Sequence, residues 1–101
     1  MIEIDLRAKA TTFAGDPIYA DRPDATLAFS LALLLGEATT GPAAKFIPWM
    51  HGLYTYGTIT VDEADWKTLY DYVKEYRTAM KIKGPIEMAL DAAKDAADKA
   101  K

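Results

Sequence analysis

Apolar and polar residues alternate at the start of the chain, in the order MIEIDLR. Ile2, Ile4 and Leu6 fall on one side of an extended backbone, and the charged residues between them fall on the other. This period of two is typical of a strand with one buried face. The stretch TITV, residues 58–61, alternates threonine with β-branched apolar residues and is also predicted to be extended. We predict that Ile2–Leu6 and Thr58–Val61 pair as a small sheet.

The stretch LAFSLALLLG, residues 27–36, holds no charged residue. A membrane-spanning helix needs about 20 apolar residues, so this run of ten is too short. A signal peptide would begin with basic residues, whereas this chain begins with two acids among its first five residues. We therefore predict a helix buried on most sides, capped by Asp24 or Thr26. The same reading predicts that Leu33→Asp unfolds the protein.

Proline and glycine mark the connections and the second helix. FAGDPIYADRPD, residues 13–24, is predicted to be a loop, and GEATTGP, residues 36–42, a linker. Pro42 is predicted at the first helical position of the segment AAKFIPWMHGLYTYG. Pro48 removes a backbone donor inside that segment. We expect a kinked or two-part helix that ends near Gly52 or Gly57.

Two more helices are predicted after the second strand. Asp62 caps the first of them, and a stripe at helical spacing carries it to about Met80. Gly84 then ends it and Pro85 starts the last helix. From Asp91 onward the sequence is alanine with alternating charges, which has helix propensity but little to bury. We expect residues 92–101 to fray or project, so that deletion after Ala93 leaves the thermal midpoint nearly unchanged.

The length of 101 residues predicts one domain, residues 1–101, and 50% hydrophobic residues are enough for a core. The predicted class is α+β, a small domain of three or four helices with a short two-stranded element. A mainly helical fold, with the two extended segments unpaired, is the alternative. Because the chain has no cysteine, disulfides and thiolate chemistry are excluded.

The charge balance argues against nucleic acid as a partner. The formal net charge is −3 and the sequence pI is about 5.0. Binding to phosphates needs clustered lysine and arginine, and the twelve basic residues here are scattered. No direct nucleic-acid binding and no membrane association are expected.

Residues able to perform chemistry are few and isolated. His51 is the single histidine and cannot build a multi-histidine metal site. Ser30 lies between apolar residues of a predicted core helix, where a nucleophile would be inaccessible. Asp62, Glu63 and Asp65 lack the spacing of a calcium loop and are explained by helix capping. We predict no catalytic, cofactor or metal site, and hence no enzyme.

Tyrosine is the remaining candidate for function. Tyr70 and Tyr72 cannot both point to one face of a helix, so some rings are expected to remain at the surface. Exposed tyrosine favours contact with another protein. The predicted partner-binding residues are Tyr54, Tyr56, Tyr70, Tyr72 and Tyr76.

The order of these signals resembles a class of short proteins of tailed bacteriophages and prophages. The resemblance rests on IEIDLR, FAGDPI, DATLAFSLALLL, KFIPWMHGLYTYGTITVDEADWKTLYDYV and IKGPIEMALD, and it covers the chain to about Asp91. It implies no functional residue. It implies an accessory protein that acts in the cytoplasm of a bacterial host cell by protein–protein interaction and modulates or inhibits a host system.

A phage assembly or virion component, such as a tail-assembly factor that self-associates, is the alternative function. A host modulator is expected to be a stable monomer or dimer, whereas an assembly protein is expected to form larger oligomers. The apolar helix at residues 27–35 favours self-association. The sequence therefore leaves a homo-oligomer open as one of the expected states.

Overall fold

The computed structural model describes residues 1–11, 14–38 and 42–100. Over these residues the element order is β1 (Ile2–Asp5), α1 (Leu27–Gly36), α2 (Ala43–Tyr56), β2 (Thr58–Val61), α3 (Glu63–Glu75) and α4 (Met80–Lys99). The predicted α+β class is confirmed, and the mainly helical alternative is wrong because the two strands pair. The Cα radius of gyration of 12.9 Å is that of one compact domain of this length. Residues 39–41 of the predicted linker, and Phe13 of the predicted loop, lie outside the described residues.

The sheet is antiparallel, with Ile2 opposite Val61 and Ile4 opposite Ile59. All four of these side chains are buried, because the alternation places them on one face. Helix α4 packs against β1 on this side of the molecule. A two-stranded sheet is marginal alone, so the helices that cover its apolar face are what stabilise it.

Gly57 joins α2 directly to β2 in a left-handed conformation, with φ at +73°. Its N–H donates to the carbonyl of Leu53 at 3.0 Å, and its own carbonyl accepts from Leu6 N–H at 2.9 Å. A Cβ atom at this position would lie 2.7 Å from Cγ of Arg7. The turn therefore needs glycine both for its backbone angle and for the close approach of Arg7.

Helix α1 begins as the sequence predicts, because the side chain of Thr26 accepts a hydrogen bond from Phe29 N–H. Seven of its ten residues are buried. Leu33, however, is 36% exposed, so the expectation that it lies in the core is wrong. Leu33 lies on the same side of α1 as the half-buried Phe29 and the exposed Gly36.

Two proline residues lie inside helices instead of dividing them. The expected two-part helix at Pro48 is a single helix, α2, and the expected break at Gly84–Pro85 lies inside α4. Each proline is the sixth residue of its helix, so its missing N–H removes one hydrogen bond of the second turn. The buried side chains that follow, Trp49 in α2 and Ile86 in α4, hold each helix against the core.

The boundary between α3 and α4 also differs from the prediction. Helix α3 ends at Glu75, before the expected end near Met80, and Tyr76 is extended. The ammonium group of Lys83 donates to the carbonyl oxygens of Lys74 and Tyr76, at 2.9 and 3.2 Å. These two hydrogen bonds satisfy carbonyl groups at the end of α3 with a donor from the first turns of α4.

The alanine-rich segment forms the last turns of α4. The helix continues to Lys99, and Ala93 and Ala97 are half-buried against the core. Lys94 pairs with Asp98 one turn later and with Glu63 of α3, both at 2.8 Å. The hydrogen bonds to both carboxylates raise the pKa of Lys94.

Candidate functional site

The five tyrosines singled out in the sequence lie in two parts of the chain. Tyr54 and Tyr56 are on α2 and are 59% and 73% exposed. Tyr70, Tyr72 and Tyr76 are on or just after α3 and are half-buried. The structure therefore does not bring the five rings together into one surface.

Tyr70 and Tyr72 point to opposite sides of α3, as the helical spacing predicts. The Tyr70 ring stacks on Trp66 with centroids 4.9 Å apart, and its hydroxyl donates to Asp91 of α4. The Tyr72 ring packs on Phe46, and its hydroxyl donates to the carbonyl of Leu34. Partial burial raises the pKa of both tyrosines, with Asp91 adding to the effect at Tyr70. These rings join helices of the domain to each other.

Tyr76 has the same joining role at the end of α3. Its hydroxyl donates to Glu37, just after α1, and its ring lies 5.9 Å from that of Tyr72. Among the five tyrosines, Tyr54 and Tyr56 are thus the two whose rings lie largely in solvent.

Tyr54 belongs to an antiparallel pair of helices. Its ring meets Phe29 of α1 edge-on, with centroids 6.1 Å apart. Gly36, later in α1, lies close to Met50, earlier in α2; a Cβ there would be 3.9 Å from its sulfur. These two contacts run in opposite chain directions, so α1 and α2 lie antiparallel, with Leu33 on the side of α1 that carries Phe29 and Gly36.

We call the exposed side of this pair the α1–α2 face. Ile47, His51 and Tyr54 follow one another at helical spacing on α2, and Ile47 is 61% exposed. Leu33 is the exposed leucine on the α1 side. The α1–α2 face consists of Phe29, Leu33, Ile47, Met50, His51 and Tyr54.

The six residues of the α1–α2 face carry no formal charge, while Arg22 lies over the Phe29 ring and Asp21 and Asp24 line the groove beside Tyr54. The chain has 27 charged residues, yet none falls between residues 25 and 36 or between residues 46 and 61. The exposed sides of the other two helices are different: α3 presents Lys67 and Glu75 to solvent, and α4 presents Asp91 and Asp95. A helix side that faces water normally carries charged and polar residues, so the neutrality of the α1–α2 face is the unusual feature of this surface.

A groove of about 470 Å³ lies at the Tyr54 end of the α1–α2 face. Its walls come from the loop before α1, the first turn of α1 and the end of α2. The Arg22 guanidinium carbon lies 5.0 Å from the centroid of the Phe29 ring, a cation–π geometry. Tyr19 meets the same ring edge-on at 5.6 Å, so the loop is fastened to α1 here.

The start of α1 is not an anion site, because its first N–H groups are already bonded. Those of Leu27 and Ala28 donate to the carbonyls of Ala8 and Leu6, both at 2.9 Å, and that of Phe29 donates to Thr26. These bonds consume the donors that a helix N-terminus otherwise offers to a phosphate or carboxylate.

The candidates for chemistry are used in the structure of the domain. Ser30 is fully buried, and its hydroxyl lies 2.8 Å from that of Tyr19. Asp62 caps α3, and Asp65 pairs with Lys45, whose pKa is raised by that bond. In residues 1–11, 14–38 and 42–100, no three side chains of histidine or acidic residues meet in a way that could hold a metal ion.

Sequence reasoning missed the aliphatic part of the α1–α2 face, Leu33 and Ile47. A signal for it exists: residues 46–61 run without a formal charge through a helix that needs a solvent side. A break at Pro48 would divide this segment into two short helices whose exposed sides need not coincide. The expectation of a break therefore hid the uncharged exposed side of the single helix.

Comparison with protein-family models, known proteins and solved structures finds no match for this chain. Of the helices in the described part of the chain, none is both long enough and apolar enough to cross a membrane.

Proposed function

We propose that this protein is a protein-binding module and that its partner docks on the α1–α2 face. The observation that carries the proposal is the pair of adjacent helices whose shared outer side is apolar and uncharged, while α3 and α4 carry charges outward. Contiguous exposed apolar surface marks interaction sites, and interface centres are depleted of charge and enriched in aromatic residues and methionine.

In the cell, the proposed role is that of a phage accessory protein that binds a protein in the cytoplasm of the bacterial host and modulates it. This part of the proposal rests on the resemblance described above. Phage assembly is the second candidate role. The neutrality of the α1–α2 face favours it, because a neutral apolar surface can pack on its own copies without burying like charges.

Affinity capture from a bacterial lysate tests the docking surface. Three tagged chains are compared: the wild type, Ile47→Lys on the α1–α2 face, and Met88→Lys on α4. Met88 is 63% exposed against 61% for Ile47, so the two substitutions add the same charge at equally exposed apolar sites. We expect a protein in stoichiometric amount with the wild type and with Met88→Lys, and its loss with Ile47→Lys.

Two results would contradict the proposal. One is a captured protein that survives Ile47→Lys, because the docking surface would then lie elsewhere. The other is a wild-type chain that captures no protein and does not self-associate, because the exposed apolar surface would then have no binding role.

A further inference from the structure

We infer that the free edge of β1 pairs with the same edge of a second copy of this chain, so that two two-stranded sheets join into one sheet of four strands. The two β1 strands run antiparallel, and the two-fold axis passes beside Leu6. This edge shares no residue with the α1–α2 face, so the inference does not depend on the proposed function.

The backbone hydrogen bonds of the N-terminal segment are made by its even-numbered residues. Leu6 N–H donates to the carbonyl of Gly57 at 2.9 Å, in the same register as the pairs between β1 and β2. Further along, Ala8 and Ala10 bond to residues 25 and 27 through their carbonyl and N–H groups. Backbone groups alternate between the two edges of a strand, so those of residues 3, 5, 7 and 9 point to the opposite edge.

That opposite edge of β1 has no neighbouring strand. In the described part of the chain the sheet consists of β1 and β2 alone, so β1 is paired on one side only. The side chains of Glu3, Asp5 and Arg7, whose backbone groups face the unpaired edge, are exposed. An unpaired edge is a template for another strand, and a sheet of two strands is less stable than one of three or more. A further strand at this edge therefore completes the sheet.

The charges along this edge identify a second copy of the chain as the strand that fits. In chain order the exposed side chains are Glu3, Asp5, Arg7 and Lys9, two acids followed by two bases. An antiparallel copy with the axis at Leu6 presents this order reversed. Asp5 then lies opposite the partner's Arg7, and likewise Glu3 lies opposite the partner's Lys9. Side chains directly opposite in antiparallel strands share one face, with Cβ atoms about 4.5–5.5 Å apart, and opposite charges there attract.

Charge also distinguishes this register from its neighbours. An axis at Asp5 would set that carboxylate against its own copy, and an axis at Arg7 would do the same with the guanidinium. Like charges directly opposite each other are destabilising. The backbone bends at Ala8, so the contacts between Glu3 and Lys9 lie at the ends of the pairing. The two central contacts between Asp5 and Arg7 therefore fix the register.

Contacts within the monomer are exchanged for these contacts between chains. The Arg7 guanidinium bonds to the Asp5 carboxylate at 2.8 Å, and Arg7 N–H donates to the same carboxylate at 3.1 Å. Lys9 lies 3.6 Å from the largely exposed Asp24. Exposed ion pairs contribute little to stability, so their exchange costs little. When the Asp5 carboxylate turns to the partner's Arg7, the freed N–H joins the new ladder, and main-chain bonds supply the affinity.

Charge reversal tests the inference, with the mass measured by light scattering after size-exclusion chromatography. We expect the mass of the wild type to rise with concentration, from micromolar to millimolar protein, from 11.1 kDa towards twice that value. Asp5→Arg and Arg7→Asp, each alone, place like charges opposite each other and should remain at 11.1 kDa. An equimolar mixture of the two variants should dimerise, because each central contact between the two different chains is again acid against base.

The mixture separates contact between chains from contact within one chain. Neither variant retains the internal pair, so recovery in the mixture requires association. Lys67 and Asp71 of α3 are the matched control, since their side chains are 72% and 48% exposed, against 68% and 48% for Arg7 and Asp5. Lys67→Asp and Asp71→Arg should dimerise like the wild type. Circular dichroism should show the wild-type helical signal in all four variants, because all four positions lie at the surface.

A disulfide cross-link tests the register independently of charge reversal. The chain has no cysteine, so Asp5→Cys and Arg7→Cys each introduce a single thiol. A disulfide needs Cα atoms about 4.4–6.8 Å apart, and residues directly opposite in a hydrogen-bonded pair are about 5.5 Å apart. Position 5 lies about 8 Å from position 5 of the partner in this register. Under mild oxidation we expect a covalent dimer from the mixture of the two variants and none from either variant alone.

Each outcome decides the matter. A wild type that is monomeric at millimolar concentration overturns the inference, and so does a mixture of the charge-reversed variants that stays monomeric. A dimer that Asp5→Arg and Arg7→Asp both retain alone also overturns it, because the contact would lie elsewhere. Cross-linking of position 5 to position 5 instead of position 7 overturns the register. Capture of a lysate protein that depends on Ile47 is measured separately, so failure here leaves the proposed function standing.

Discussion

At the scale of single residues, Leu31 and Leu33 differ in burial although they are neighbours in the same apolar run. Leu31 is 0% exposed and Leu33 is 36% exposed. We expect Leu31→Ala to lower the free energy of unfolding by about 2–5 kcal/mol, because it leaves a cavity. Leu33→Ala should cost less than about 1 kcal/mol, because solvent already reaches the site. Urea unfolding of both variants at micromolar concentration measures the difference, and equal losses would contradict the assigned burial.

The difference in burial between Leu31 and Leu33 could not be predicted from the sequence, for a physical reason. The cap at Thr26 and the alternation of Ile2 and Ile4 are local, so each could be predicted from a few neighbouring residues. Whether Leu33 is covered depends on where α2 and the other helices lie, and the run LAFSLALLLG has no charged residue to mark its outer side. The expectation that Leu33→Asp unfolds the protein therefore assumed a burial that Leu33, which is 36% exposed, does not have.

The Asp5–Arg7 pair makes a prediction about pH. Two side-chain hydrogen bonds, of 3.0 and 2.8 Å, join the Arg7 guanidinium to the Asp5 carboxylate. The hydrogen bonds from Arg7 lower the pKa of Asp5 from 3.8 to about 2. A lowered pKa stabilises the folded state above the unfolded value, and this contribution is lost as the pH falls from about 4 through about 2.

Carbon-detected NMR titration of the Asp5 carboxyl measures this directly. We expect a midpoint near 2 in the wild type and a shift towards 3.8 in Arg7→Gln. A control is Lys67→Gln, which removes a lysine paired with Asp71 on α3 and should leave the Asp5 midpoint unchanged. A midpoint near 3.8 in the wild type would show that the pair does not persist in solution.

At the scale of elements, the sheet, the start of α3 and the outer limits of α2 were predictable, whereas the continuity of α2 through Pro48 and the boundary between α3 and α4 were not. The period of two in β1, and the cap followed by a stripe in α3, are complete signals within one segment. Pro48 and Pro85 are strong local signals for a break, but tertiary packing overrides them. Each proline removes one backbone hydrogen bond near the start of its helix, and the part of the helix that follows packs on the core through Trp49 and Leu53 in α2 and through Ile86 and Leu90 in α4.

The last turns of α4 carry the prediction at this scale. The sequence favoured a free tail, but the structure has Ala97 half-buried and Lys94 paired with Glu63 of α3. We therefore expect a chain that ends at Ala93 to lose about 1 kcal/mol, which lowers the thermal midpoint by about 4–8 °C in a domain of this size. A chain that ends at Lys99 is the control and should melt like the full chain. An unchanged midpoint for the shorter chain would show that these turns do not stabilise the domain.

At the scale of the whole molecule, the sequence pointed to tyrosine contact surfaces, whereas the structure places Tyr70, Tyr72 and Tyr76 between elements of one domain. Composition cannot distinguish a half-buried tyrosine that hydrogen-bonds within the domain from one that contacts another protein, because both are the same residue type. The distinguishing information is the position of α1 beside α2. Because α1 and α2 lie side by side, their uncharged outer residues form one face.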